Sequence, residues 1–317
     1  MADSAPVSPE AAFSALGSEL RTEILRVFAE AERDERGEEG ALTFKELYDE
    51  VPIDSTSQLS YHLDLLDEIF LYKDDDRYRL TQAGDRIVRA ILSGTYSERP
   101  SFEATEVEGM CPSCESADLR AEYSEKALSV RCPDCEIPIV TYDLSPAEAK
   151  DRTSEEILRS CDRRIHHEYA TALRGTCPVC GGRTAVEIGT DETVESITHY
   201  CIARCESCYR QVFAPLYVRL LYHPAVVAFY WERGVDIQSV PFWEVQKYIR
   251  EWETEVHDED SFRATITVRY RGAEGRDGDE SIRGDEGDRS RDDELKLLLD
   301  GALDVEPATP EKQKIDG

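Results

Sequence analysis

Eight of the ten cysteines in this 317-residue chain fall into four Cys-x2-Cys pairs, Cys111/Cys114 with Cys132/Cys135 and Cys177/Cys180 with Cys205/Cys208. A Zn2+ ion takes four soft ligands in a tetrahedron. Two residues between cysteines let a tight knuckle turn both thiolates toward one ion, and a second knuckle brought in by a hairpin closes the shell. The first module reads CPSC, 17 residues, CPDC; the second reads CPVCGG, with 24 residues between its pairs, then CESC. Each gap holds a hairpin and is too short for an independent core. Four thiolates leave no open position for water, so the spacing predicts two structural Zn2+ ions rather than a catalytic metal. Gly181 and Gly182 suit the left-handed turn of a knuckle, whereas Glu115 and Glu136 stand there in the first module. Each module also runs from its second knuckle into an apolar strand, Ile137 to Leu144 and Gln211 to Val218, so a duplicated ribbon describes both.

Disulfides would need an oxidising compartment, and the opening MADSAPVSPE has neither a basic nor an apolar export region, so a cytoplasmic protein is expected. A thioredoxin-like redox role lacks the surrounding βαβ pattern. Cys161 lies in a helical run with Ile157, Leu158, Ile165 and Tyr169, and reads as a buried thiol. Cys201, four residues before Cys205, is either a competing ligand or thiol sensor, or a packed strand residue; the paired pattern favours the last.

The formal charge is −30 and the isoelectric point about 4.5. Acid is spread over almost every segment, and eight lysines stand against 29 arginines. That pattern matches adaptation to a salt-saturated cytoplasm, as in halophilic archaea. At molar salt the Debye length falls to about 3 Å, so net charge does not exclude nucleic acid. The most apolar stretch, Pro215 to Trp231, is interrupted by Arg219, His223 and Pro224, and no membrane segment is expected.

Upstream of the cysteines, Phe13, Leu16, Leu20, Ile24, Val27 and Phe28 form one helical stripe over residues 9–31. Thr43 caps a short helix over 44–51 that Pro52 ends, and Asp54 or Ser55 opens a third helix with Leu59, Leu63, Leu66 and Ile69 inward. LYKDDDRYRLT reads as two strands around an Asp-rich turn, and TQAGDRIVRAIL as a capped helix. The order is that of a winged helix-turn-helix. The run SQLSYHLDLL, residues 57–66, resembles the recognition helix of ArsR-type winged-helix regulators, and FSALGSELRTEIL resembles their first helix. The resemblance covers residues 10–95, and the order of ribbon, helix, ribbon and α+β tail is similar to multi-domain haloarchaeal members.

On that reading the third helix enters the major groove with Thr56, Ser57, Gln58, Ser60, Tyr61 and His62, away from the leucine stripe. Arg77 and Arg79 face outward from the hairpin toward phosphate or the minor groove while Tyr78 packs inward, and Arg21 and Lys45 hold the DNA backbone. His62 either reads DNA or packs within the helix bundle. Asp64, Asp67, Glu68 and the Asp74 to Asp76 turn oppose phosphate at low salt, which keeps a purely protein-binding winged helix in view. Metal-sensing members carry Cys or His ligands in this region; residues 1–110 hold no cysteine and only His62, so metal-responsive repression is not expected.

The expected organisation is α+β and multi-domain: winged helix 10–95, linker 96–108, zinc ribbon 109–146, connecting helix 147–175, second ribbon 176–218, and a small α+β unit 219–304. The Gly-rich, charged stretch 272–293 and the tail 305–317 read as disordered. Adjacent His166 and His167 point in different directions and cannot chelate together. The aromatics from Phe229 to Trp252 form either a core or an effector pocket, core being the commoner outcome. No nucleophile-base motif or phosphate loop stands out, so no enzyme is expected. The expectation is a DNA-binding transcriptional regulator, with double-stranded DNA as partner and a homodimer or the transcription machinery as further candidates. The alternative is an adaptor of that machinery, similar in layout to the alpha subunit of archaeal general transcription factor E; a redox sensor using Cys161 and Cys201 is a third reading.

Overall fold

The computed structural model describes residues 7–34, 40–124, 127–190, 199–258, 261–270 and 294–308. The expected disordered loop 272–293 and most of the expected tail lie outside them. The fold is mixed α and β with several antiparallel sheets. Its contacts divide it into two compact units, residues 1–100 with 145–150, and residues 101–144 with 151–317.

The first unit opens with α1 (Pro9–Leu16), capped by Ser8, and α2 (Glu19–Arg33). The single helix expected over 9–31 is broken at Gly17 and Ser18. Across the break the buried Arg21 guanidinium donates to the carbonyls of Ala15 and Ser14, acceptors that a continuing helix would use. Phe13 leaves the apolar stripe and is exposed, while Ile24, Leu25, Val27 and Phe28 are buried. Then come β1 (Leu42–Thr43), α3 (Phe44–Glu50), α4 (Thr56–Leu66), β2 (Leu71–Asp74), β3 (Arg77–Leu80) and α5 (Gln82–Leu92). Thr43 and Glu46 close a reciprocal capping box on α3, and Ser55 accepts from the Gln58 N–H at the start of α4. β1, β3 and β2 form one antiparallel sheet in that order, with Leu42 opposite Tyr78. Leu47, Leu59, Leu63, Leu66, Leu71 and Val88 join α2 in one core. Gly84 is required where it stands, because a Cβ there would collide with the Phe70 carbonyl oxygen.

In the second unit β4 (Thr105–Glu108), β5 (Asp118–Ser124), β6 (Ala127–Arg131) and β7 (Pro138–Tyr142) make a four-stranded antiparallel sheet in sequence order. β4 corrects the expected linker 96–108: its four residues pair with β5, Thr105 opposite Ala121. The expected connecting helix 147–175 is two helices, α6 (Pro146–Ala149), which clusters with the first unit, and α7 (Ser154–Ala172). Asp151, at φ 56°, turns the chain between them, and a Thr153–Glu156 capping box restarts it.

A three-stranded sheet beside the second set of cysteines is β8 (Thr184–Thr190), β9 (His199–Cys205) and β10 (Gln211–Pro215), ordered β10-β9-β8. Helices α8 (Leu216–Leu221), α9 (Pro224–Trp231) and the single turn α10 (Gln246–Ile249) lead to a last antiparallel sheet. Its strands are β11 (Glu253–Asp258), β12 (Arg263–Arg269), β13 (Glu294–Asp300) and β14 (Val305–Pro307). β14 falls within the expected disordered tail 305–317; it pairs with β13, Val305 opposite Leu299. The aromatics before this sheet are mostly core: Tyr230 is fully buried, its hydroxyl donating to the Tyr248 carbonyl and accepting from Trp252 Nε1, although Trp231 is exposed.

Candidate functional site

Each cysteine cluster is built from two turns of the same backbone form. In all four knuckles the residue after the second cysteine is left-handed: Glu115 at φ 59°, Glu136 at 60°, Gly181 at 74° and Tyr209 at 61°. Its N–H closes on the carbonyl of the first cysteine, at 3.0, 2.9, 2.9 and 3.1 Å respectively. The N–H of the first cysteine returns to the carbonyl two residues beyond the second: Cys111 to Ser116, Cys132 to Ile137, Cys177 to Gly182 and Cys205 to Arg210, all within 3.1 Å. Further N–H groups aim at sulfur, Ser113 at Cys111 Sγ and Ser207 at Cys205 Sγ, each at 3.4 Å, which favours thiolate.

The sulfurs fit a metal. Cys111 and Cys135 are 3.5 Å apart, Cys114 and Cys132 3.5 Å, Cys177 and Cys208 3.6 Å, and Cys180 and Cys205 3.5 Å. A tetrahedron with metal–sulfur bonds of about 2.3 Å has edges of about 3.8 Å. Within each cluster all four Sγ lie within 4.8 Å of one another. Two four-cysteine clusters compatible with zinc ribbons are therefore in place, each able to hold one metal ion. Cys161 and Cys201 join neither cluster. Both are buried, Cys201 within the β8-β9-β10 sheet opposite Ala214 and Ile188, and burial pushes its thiol up to about 12. Such a thiol is a poor redox sensor.

The residues expected to read DNA divide. Thr56, Ser57, Ser60 and Tyr61 are exposed on α4, and Gln58 is half-buried there with its N–H held by the Ser55 cap. His62 is a correction: it is buried with Leu59, Leu63 and Leu66, and burial, then the nearby Arg21, holds its pKa below the usual histidine range. Its Nδ1 has no hydrogen-bond partner among the described residues. Arg21 is likewise committed to the carbonyls of Ser14 and Ala15 rather than to solvent. The hairpin arginines do not project outward as expected. Arg77 Nη1 reaches the Ala41 carbonyl at 3.2 Å and Glu46 at 3.4 Å, and Arg79 lies 3.7 Å from Asp74. Tyr78 is half-buried beneath Lys73, whose Nζ stands 5.4 Å from the ring centre; Lys45 is exposed.

Two features carried no sequence signal. His166 is buried and bridges, with Nδ1 2.9 Å from the Tyr222 hydroxyl and Nε2 3.2 Å from the Val240 carbonyl. One helical turn away, Asp162 accepts from the Phe242 N–H at 3.0 Å. The second feature is an aromatic cavity against α7, bordered by Tyr142, Tyr169, Tyr200 and Tyr217, residues far apart in the chain. Among the described residues no helix is long and apolar enough to cross a membrane.

No curated protein and no solved structure matches the chain. Two family models do. Residues 9–91, most of the first unit, match one described as Domain of unknown function (DUF7347). Residues 108–276, both cysteine clusters and the segments that follow them, match one described as Domain of unknown function (DUF7351). That second match spans more than half of the chain, with all eight clustered cysteines inside it, so the protein belongs to the DUF7351 family.

Proposed function

We propose that this protein is a DNA-binding transcriptional regulator, that its first unit is a winged helix-turn-helix, and that both four-cysteine clusters hold structural Zn2+. One observation carries the reading. The first turns of α4 present Thr56, Ser57, Ser60 and Tyr61 to solvent while Leu59, Leu63 and Leu66 anchor the opposite side in the core. Short hydroxyl and amide side chains on a rigidly seated helix are what base edges and phosphates require. The α3-α4 order followed by the β2-β3 hairpin supports groove docking with a wing beside it. The all-thiolate donor sets support Zn2+ over harder cations. The distributed acid and scarcity of lysine support work in a high-salt cytoplasm, where phosphate attraction is weak and base contacts must supply more of the discrimination.

The test is selection of genomic fragments by the full-length protein in molar KCl. A limited set sharing a recurrent sequence is expected to be enriched. Ser57→Ala with Gln58→Ala and Tyr61→Ala should abolish the enrichment while both metal ions are retained. Binding no better than to random DNA would overturn the reading.

A second reading is favoured by the hairpin: Arg77 and Arg79 are engaged by Glu46 and Asp74, which weakens the wing as a phosphate clamp. An adaptor of the transcription machinery would use the exposed Tyr61 and Tyr72 for protein contact instead. Co-purification with RNA polymerase and no promoter preference would select it.

A further inference from the structure

Within the second unit, β7, α7 and β10 enclose a cavity of about 580 Å³. That volume lies in the range of roughly 300–1,000 Å³ found for small-molecule sites. Seven consecutive residues, 137–143, and four more, 210–213, border it. Successive strand residues point to opposite faces, so consecutive lining means that the space runs along strand edges. β7 and β10 are indeed outermost in their sheets.

The cavity is walled by rings. Tyr200 and Phe213 lie 4.5 Å apart at an interplanar angle of 30°, and Tyr169 and Tyr217 also line the space. Burial, and then the neighbouring Glu168, pushes Tyr169 up to about 12. Burial pushes Tyr217 up as well, and the nearby Tyr169 and Tyr200 reinforce it. Both phenols therefore stay protonated and act as donors, and among the described residues neither hydroxyl has a hydrogen-bond partner. Arg210 Nε is buried and also lacks an acceptor among the described residues. The charge of that guanidinium is already met, with Nη1 3.2 Å from Asp143 and Nη2 3.7 Å from Glu168. Glu168 also lies 3.7 Å from Arg164 Nη2, so Asp143 and Glu168 together engage the guanidinium groups beside the cavity and leave the lining unsuited to an anion. Donors without acceptors, rings on several sides and no spare positive charge describe the complement of one kind of guest.

We infer that this cavity is a binding site for a neutral, planar aromatic molecule carrying a carbonyl-type acceptor, with its rings against Tyr200 and Phe213 and its acceptor on the Tyr169 and Tyr217 hydroxyls. The site is independent of whether α4 reads DNA. It uses an aromatic stack for affinity and two phenols for selection, since a guest without an acceptor leaves both donors unmet.

The experiment titrates the full-length, metal-loaded protein in molar KCl with three probes sharing one ring system: 2-acetylnaphthalene, naphthalene and 2-naphthoate. The ketone is expected to bind one per chain and roughly tenfold or more tighter than naphthalene, as two neutral hydrogen bonds predict. The naphthoate should bind weakest. Tyr169→Phe with Tyr217→Phe should erase the ketone's advantage and leave naphthalene affinity and metal content unchanged. Phe213→Ala should weaken ketone and naphthalene alike. The inference is overturned if the ketone binds no tighter than naphthalene, if the naphthoate binds tighter than the ketone, or if the double Phe variant keeps the preference. Saturable binding of an extended peptide along the edges of β7 and β10, with no binding of the ketone, would also overturn it.

Discussion

Asp162 is a buried carboxylate that the fold holds at a cost, and the cost can be worked from its surroundings. It is 7% exposed. Burial pushes its pKa up from 3.8 to about 6, against the opposing Phe242 N–H and Arg163, with Glu244 adding to the rise. His166 Nε2 lies 3.7 Å away but is itself held below the ordinary histidine range by burial, so near neutral pH it offers little compensating charge. A folded pKa above the unfolded one means that Asp162 favours folding below about pH 4. The contribution fades as pH rises toward 6 and becomes a standing penalty above it. About two units correspond to about 3 kcal/mol at pH 7 to 8. Asp162→Asn keeps an oxygen for the Phe242 N–H and removes the charge, but adds an amide N–H2 that needs an acceptor. The net expectation is stabilisation by about 1–3 kcal/mol at pH 8, shrinking to nearly nothing at about pH 4.5.

Urea unfolding of both proteins in molar KCl at several pH values measures this directly. Comparing the two at each pH cancels whatever metal loss they share in acid. Because the group is buried, the difference should depend little on salt. A variant less stable than the parent at pH 8, or a difference that does not vary with pH, would refute the reasoning.

Glu136 holds a left-handed φ that suits glycine, so Glu136→Gly should raise stability by about 0.5–1 kcal/mol once the flexibility of glycine is subtracted, as read by denaturant midpoint at unchanged slope. Gly84→Ala drives a methyl into the Phe70 carbonyl and should cost the first unit about 1–3 kcal/mol in the same assay; a neutral outcome would mean that α5 shifts freely. Cys205→Ser should lower bound metal from two ions to one per chain by elemental analysis, whereas Cys161→Ser should leave two.

Legibility in the sequence followed the range of the interaction. The clusters were readable because coordination geometry fixes ligand spacing over four residues, and the α3 and α4 starts because Thr43 and Ser55 act within one turn. The break between α1 and α2 was not, because the apolar stripe runs on through Gly17 and Ser18 and does not mark where the backbone bonding stops. Tyr78 gave a correct inward side, yet the same alternation misplaced Arg77, whose partners Ala41 and Glu46 lie more than thirty residues earlier. β4 has too few residues to show a period and is a strand only because β5 lies beside it. His62 kept both its readings until burial decided between them. The cavity was invisible for the same reason: each tyrosine reads locally as packing, and only the meeting of two ribbons and a helix turns them toward one space.

The knuckles and the cavity share atoms, which ties metal to binding. The Ile137 carbonyl accepts from the Cys132 N–H, closing a knuckle of the first cluster, and Ile137 begins the stretch of β7 edge that lines the cavity. The Arg210 carbonyl accepts from the Cys205 N–H, closing a knuckle of the second cluster, and Arg210 carries the cavity's ion pairs. The two strand-edge walls of the cavity are thus direct continuations of cysteine knuckles. Thiolates crowded to about 3.5 Å repel one another without a cation between them, so removing the ions should release both knuckles and with them both edges. Graded chelation should lower the capacity for 2-acetylnaphthalene in step with metal loss, and restoring Zn2+ should recover it. Cys205→Ser, which disturbs one wall, should lose the ketone's advantage over naphthalene even though the other cluster stays loaded. Full ketone affinity in metal-free protein would show that α7 and the apolar contacts hold the cavity alone, and that the ribbons are ornament to it rather than its frame.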